Sequence, residues 1–303
     1  MAKLTQFTAP RYWLTWLGIA LLRLIAFLPF KPGLALGRFI GISLYHLLPK
    51  RRYIAEVNTT LCFPELNKDQ QKQFVKKVFA DNGIGVVETA WAFWSNKKSL
   101  LNKTTYVDLK LIDQALEQGK GLILLGGHYS TLDLGGALFS LKGYPLVSMY
   151  RRHNNPLMEE IICRGRSSWS DPIERKQLRQ IVRKLRNNHI VWYGPDQDFG
   201  RKNAVFVPFF KQTAATITAT SKMVRLNDSP ILCLRQRRND DDSGYTISVA
   251  PIEGFPSGDE TEDARLMNLA IEQAVRQAPS QYMWVHRRFK TQPDQQLNPY
   301  QQR

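Results

Sequence analysis

One short run of the chain carries residue types suited to acid–base chemistry: LILLGGHYSTLDLGG, from Leu122 to Gly136. An apolar, strand-like segment ends in Gly126-Gly127, His128 follows, and Asp133 comes five residues later. Ligands of α/β proteins collect beyond the carboxyl ends of strands, which puts His128 where a general base is useful. Five residues of regular helix turn about 140° past a full circle, so two helical residues at this spacing cannot share a face. The pair meets if His128 lies in the loop and Asp133 in the first helical turn. The carboxylate would then fix the imidazole tautomer and stabilise the imidazolium. Unpaired N–H groups at the helix start could hold an oxyanion. By spacing alone, the plainer reading is a hydrogen-bonded structural histidine and an acid that favours a helix start. No G-x-S-x-G is present, and Cys62, Cys163 and Cys233 are far from the motif in sequence. Attack by a substrate hydroxyl activated by His128 is therefore more economical than an acyl-enzyme.

Two further stretches bear on a site. Arg151 to Arg186 holds ten cations against four acids, a net of +6. Arg175, Arg179, Arg183 and Arg186 recur at helical spacing and read as a solvated face. Arg164 and Arg166, in CRGRSS, read as a Gly/Ser loop suited to phosphate contact. VWYGPDQDFG, Val191 to Gly200, reads as a strand entering a turn with Asp196 and Asp198. D-x-D after proline more often caps its own turn than binds a metal, and without clustered His or Glu partners no metal site is expected.

The elements that must position these residues can be read from periodicity. Asn67-x-x-Gln70 resembles a capping box, and apolar residues from Phe74 to Trp94 follow at helical spacing, predicting one long helix. Buried strands are expected at 122–125, 145–150, 190–193, 231–234 and 245–250. Helices are expected at about 131–141, 213–226 and 260–277. This alternation predicts an α/β domain around one largely parallel sheet, with residues 51–290 as an undivided catalytic domain and 291–303 as a loose polar tail. Trp91, Trp94, Phe206, Phe209 and Phe210 are candidate walls for an apolar tunnel, with ordinary core packing as the alternative.

The chain has 303 residues, 42 Lys+Arg and 26 Asp+Glu, for a formal net charge of +16. Its pI is about 9.8 and its mean hydropathy −0.33. Apolar residues at 43% exclude a disordered chain, and the negative hydropathy excludes a multi-pass membrane protein. Met1 to Ala55 contains eight Lys and Arg and no acid. These charges bracket the most apolar run, Tyr12 to Phe30, whose 19 residues would span about 28 Å as a helix, close to the ~30 Å hydrocarbon core. A membrane anchor within residues 1–50 is expected, either spanning or lying in the interface, with Gly33 to Leu48 as a possible amphipathic interfacial helix. The greater basic charge after the run predicts that the remainder is cytoplasmic. The scattered cysteines support neither a disulfide framework nor a zinc cluster.

Across almost the whole chain, the sequence resembles the late acyltransferases of lipid A biosynthesis in Gram-negative bacteria. The blocks that carry the resemblance are PRYWLTWLGIA at 10–20, NTTLCFPEL at 58–66, H-x-x-x-x-D at 128–133, YRRHNNPLM at 150–158, VWYGPDQDFG at 191–200, FVPFF at 206–210 and QYMWVHRRFK at 281–290. The resemblance implies an inner-membrane enzyme with a single amino-terminal anchor and a cytoplasmic active site, needing no cofactor. It implies an acyl donor on acyl carrier protein, and as acceptor the hydroxyl of a 3-hydroxyacyl chain on Kdo2-lipid IV-A. The chain transferred would be lauroyl or palmitoleoyl. His128 would be the base and Asp133 its orienter. A functional Arg maps to Arg166, with Arg164 its rival. A functional Asp maps to Asp196 ahead of Asp198, and Arg151 is a further candidate for the anionic acceptor. Membrane lipids are implied partners and nucleic acid is not. Two alternatives are a glycerol-phosphate acyltransferase of phospholipid synthesis and, more distantly, a basic nucleic-acid-binding protein, which would explain the charge but not the Tyr12–Phe30 run.

Overall fold

The computed structural model describes residues 3–293 and 297–301. Nine strands and eleven α-helices follow one another along these residues. The strands are β1 (Thr104–Val107), β2 (Leu122–Gly126), β3 (Leu146–Tyr150), β4 (Asp171–Glu174), β5 (Ile190–Tyr193), β6 (Ala204–Phe209), β7 (Gln212–Ile217), β8 (Ile231–Arg238) and β9 (Tyr245–Pro251). The helices begin with α1 (Trp13–Ile25), α2 (Phe30–Leu47), α3 (Pro49–Cys62), α4 (Lys68–Trp94), α5 (Lys98–Leu101) and α6 (Lys110–Glu117). They continue with α7 (Leu132–Ser140), α8 (Pro156–Ser167), α9 (Leu178–Arg186), α10 (Ala219–Asn227) and α11 (Glu260–Gln277).

Seven strands form one sheet in the order β1-β9-β8-β2-β5-β3-β4, with every pairing parallel except β8–β9. The expected α/β class and mostly parallel sheet are therefore present. β2 lies at the centre and is buried at all five positions, as expected for a parallel strand covered on both faces. On one side Leu122 and Leu124 pack with residues of α4, α6 and α7; on the other Ile123 and Leu125 pack with residues of α9, α10 and α11. One local reading changes. Gln212–Ile217, expected to open a helix, is instead β7, paired antiparallel with β6. Its Thr and Ile are β-branched and fit a hairpin, and the helix starts only at Ala219.

The capping box of α4 forms as expected: Gln70 N–H donates to the Asn67 side chain and Asn67 N–H to the Gln70 side chain, both at 2.9 Å. Close packing of α4 on α2 depends on Gly37, Gly41 and Gly83. A Cβ on Gly37 would lie 2.5 Å from the Ile84 backbone, and Gly41 and Gly83 press on backbone in the same way. Deeper along α4, buried Glu88 and Asp81 both pair with Arg238 of β8, and Tyr245 Oη donates to Glu88 at 2.9 Å. These bonds tie the helix to the sheet.

The amino-terminal expectation is corrected. The Tyr12–Phe30 run does not form one spanning helix: α1 stops at Ile25, and a break precedes α2. Thirteen helical residues reach only about 20 Å, and no helix among the described residues is long and apolar enough to cross a membrane. The supposed loose tail is also partly tied down. Thr291 N–H and Oγ1 bond Asp198, and buried Tyr300 donates its hydroxyl to Asn58. Residues 294–296 and 302–303 of that stretch lie outside the described residues.

Candidate active site

The β2–β5 register explains which carboxylate reaches the histidine. The strands are parallel neighbours, with Leu125 opposite Tyr193. Three residues beyond each stand His128 and Asp196, so the two loops leave the sheet side by side. Asp196 Oδ1 lies 2.5 Å from His128 Nδ1, and Asp196 Oδ2 accepts the His128 backbone N–H at 2.7 Å. Glycine is needed both at the end of β2 and in the loop after β5. A Cβ on Gly194 would sit 2.8 Å from the His128 ring, and one on Gly126 would sit 2.5 Å from the Trp192 indole. The Trp192 ring meets the imidazole edge to face at 5.7 Å between centroids.

Asp196 is almost completely buried. Burial alone would raise its pKa, but the His128 ring, the His128 N–H groups and the Tyr282 hydroxyl together outweigh it and hold the carboxyl at about 2. The acid is therefore an anion throughout the physiological range and accepts a proton-bearing Nδ1. That tautomer leaves Nε2 with a lone pair, as a general base requires.

A second layer holds the pair from behind. Tyr129 bridges antiparallel to Tyr282; Ser130 N–H donates to Gln281 O, and Met283 N–H donates to His128 O. The start of the QYMWVHRRFK block thus clamps the histidine loop through a single β-bridge and the two backbone bonds beside it. The sequence marked it as a block without indicating its task. His286, in the same block, accepts the Asp198 N–H at Nε2, and its own pKa is pushed down to about 4, chiefly by burial. Arg288 is buried with bonds to Ala215 O and Thr216 Oγ1.

Asp133 is elsewhere engaged. It sits in the first turn of α7, as expected, but accepts from Arg166 Nε at 2.8 Å. The expected His128–Asp133 pairing is thus replaced by two pairs, His128–Asp196 and Arg166–Asp133. Arg166 is mostly buried in the last turn of α8, so CRGRSS is helix rather than loop. Arg164, one residue short of a shared face, points outward and pairs with Glu160 at 2.7 Å. Asp198 caps the Gly200 N–H at 2.9 Å and holds Thr291, a turn-building role. The helix-start amides proposed for an oxyanion are partly committed: His128 N–H to Asp196, Ser130 N–H to Gln281 and Leu132 N–H to Tyr129.

His128, Asp133, Arg166 and Arg151 all line one chamber of about 780 Å³. Its inner wall is apolar, with Val86, Leu132, Met149, Ile162, Trp192 and Met283. Exposed Arg151, Arg175, Lys176 and Lys222 line it too and give it a cationic mouth. Of the candidate tunnel residues, none lines it: Trp91 stacks on Phe30, and Phe209 and Phe210 lie in an aromatic core with Tyr282 and Trp284. Trp94 packs near Leu157, and Phe206 lies in β6. The true walls come from helices, strands and a loop far apart in sequence, and periodicity within any one of them does not show which residues converge.

The fold is that of an α/β protein in which a strand-end histidine, held by a buried carboxylate, opens on a largely apolar chamber with a cationic mouth, an arrangement suited to a general base beside an acyl chain. Residues 1–291 match the family described as bacterial lipid A biosynthesis acyltransferase, and the chain belongs to that family. It is 36% identical over 302 residues to a lipid A biosynthesis lauroyltransferase of Escherichia coli, covering 97% of this chain and 98% of that one. It is 39% identical over 293 residues to the E. coli lipid A biosynthesis palmitoleoyltransferase, covering 95% and 94%. A lipid A biosynthesis acyltransferase of Haemophilus influenzae is 37% identical over 298 residues, covering 96% and 94%. The protein is an acyltransferase, which disposes of the nucleic-acid-binding alternative.

Proposed function

We propose that the protein moves a lauroyl- or palmitoleoyl-type chain from acyl carrier protein to the hydroxyl of a 3-hydroxyacyl chain on Kdo2-lipid IV-A. The observation that carries the mechanism is the His128–Asp196 contact at the chamber wall. In this mechanism Nε2 removes the acceptor hydroxyl proton as its oxygen attacks the thioester carbonyl. The tetrahedral intermediate collapses with C–S cleavage, and the leaving thiolate takes the proton back from the imidazolium. Asp196, already an anion, stabilises that imidazolium. The apolar wall suits an acyl chain, and the cationic mouth suits a phosphorylated acceptor and an acidic carrier. Arg166 with Asp133 braces the wall between α7 and α8, and Arg151 at the mouth faces the acceptor. The lauroyl- and palmitoleoyltransferase relatives at 36% and 39% identity favour a lipid A acceptor over a glycerol phosphate.

The reaction takes place at the bacterial inner membrane, with the protein held on the cytoplasmic side through α1. Leu14, Leu17, Leu21 and Leu24 form an outward stripe on α1, more than half exposed, flanked by exposed Trp13 and Phe27. The opposite face packs Ile19 and Tyr12 against Leu157 and Ile161 of α8, and Asn155 at the start of α8 bonds Thr15 at 3.0 Å. So large an apolar strip marks an interaction surface, and a short amphipathic helix with basic flanks suits lying in the interface. Leu17→Asp/Leu21→Asp is expected to shift the protein from the membrane fraction to the soluble fraction, and retention there would remove α1 as the anchor.

Mass spectrometry of products from purified protein, Kdo2-lipid IV-A and mixed acyl donors tests the reaction itself. The expected product gains one acyl chain, and His128→Ala, while still folded, loses at least about 10²-fold in rate. Unimpaired transfer by that variant overturns the mechanism.

A further inference from the structure

Away from the chamber, a second groove of about 630 Å³ lies among the end of α2, α3 and the first turns of α4. It shares no lining residue with the chamber. Arg52, Lys68, Lys72 and Lys76 supply its cations, with His46 beside them, against the single acid Glu56. Lys68, Lys72 and Lys76 recur every four residues, so they stack along one face of α4, where like charges repel. Glu56 pairs with Arg52 at 3.5 Å, and none of the three lysines has a carboxylate partner among the described residues. Buried Tyr45 lines the groove, and its ring attracts Arg52 at 5.1 Å and Lys76 at 5.8 Å.

What adjoins the groove narrows its occupant. Leu47 and Leu48 directly follow His46 in the chain and are exposed, and Phe39 on the same helix is 70% exposed. Cations next to apolar side chains open to solvent match a molecule with a phosphate at one end and hydrocarbon at the other.

We propose that this groove binds the phosphate-bearing headgroup of an anionic phospholipid, a site separate from the acyl-transfer chamber and beyond the function proposed above. The unpaired lysines neutralise the phosphate, while Leu47 and Leu48 reach the acyl boundary beneath it.

Vesicle binding tests this, because it requires no catalysis. Wild type, Lys72→Gln/Lys76→Gln and the charge-matched Arg179→Gln/Arg183→Gln on α9 are compared on phosphatidylcholine vesicles with and without phosphatidylglycerol. Circular dichroism checks each fold, and transfer to detergent-dispersed acceptor is expected to be unchanged in the groove variant. The groove variant should lose roughly thirtyfold of the gain that phosphatidylglycerol gives and keep its phosphatidylcholine binding, while the α9 variant loses little. Equal loss in both variants overturns the site in favour of general electrostatics. So does survival of the full gain in the groove variant. A loss confined to binding of acidic carrier protein overturns the lipid assignment.

Discussion

Two aspartates near the chamber, Asp196 behind His128 and Asp133 in the lining itself, resemble one another in type and differ in partner. Asp196 is locked by a sheet register, almost fully buried, and bonded to a group that can exchange a proton. Asp133 rides on the first turn of α7 and faces Arg166, whose charge is permanent. A carboxylate against imidazole sets a tautomer; one against guanidinium fixes two helices to each other. Spacing along the chain paired Asp133 with His128, whereas the fold places Asp196 against His128 and Asp133 against Arg166.

Replacing each acid separately tests that contrast. Asp196→Asn should favour the wrong imidazole tautomer and cut kcat by about 10³–10⁴-fold, with KM little changed. Asp133→Asn should leave the pH dependence of kcat in place. It should instead lower stability by about 3–5 kcal/mol, because buried Arg166 loses its partner. Asp133→Asn/Arg166→Met, which removes both charges, should recover most of that loss in denaturant titrations. Equal catalytic defects from Asp133→Asn and Asp196→Asn would erase the distinction.

A smaller effect belongs to His286, which supports the Asp196 side of the chamber alone. Its folded pKa of about 4 lies below the ordinary 6.5, so between these values the unfolded chain binds the extra proton. Stability therefore rises with pH across that window, is flat above 6.5, and falls as the solution is acidified toward 4. Roughly 3 kcal/mol of acid sensitivity is expected from this group. His286→Gln should flatten that slope in melting experiments between pH 4 and 6.5, and an unchanged slope would assign the sensitivity elsewhere.

Much of this architecture was legible in the sequence. The Asn67–Gln70 cap and the apolar spacing after it marked α4, and the continuous apolar run at 122–125 marked the central strand, because capping and burial are local demands on residue type. His128 was legible as a site candidate because it comes just after that strand. Trp192, Met149 and Met283 were not legible as walls, since each reaches the chamber only through the folding of its own loop or strand. The amino-terminal run was misjudged in length for a related reason. Hydropathy counts apolar residues, whereas the break between α1 and α2 cuts the run short, and α1 itself divides between an outward stripe and a face packed on α8.

By itself, then, the sequence determined the α/β class, the histidine at the end of β2, the acid-free basic amino terminus and the membership of an acyltransferase family. These rest on local periodicity, on charge, and on blocks of residues kept in order. Only the tertiary structure decided that Asp196 serves His128, that Asp133 serves Arg166, and that α1 is too short to span a membrane. Pairing across 68 residues depends on which strands become neighbours and in what register, and no spacing along one segment encodes that.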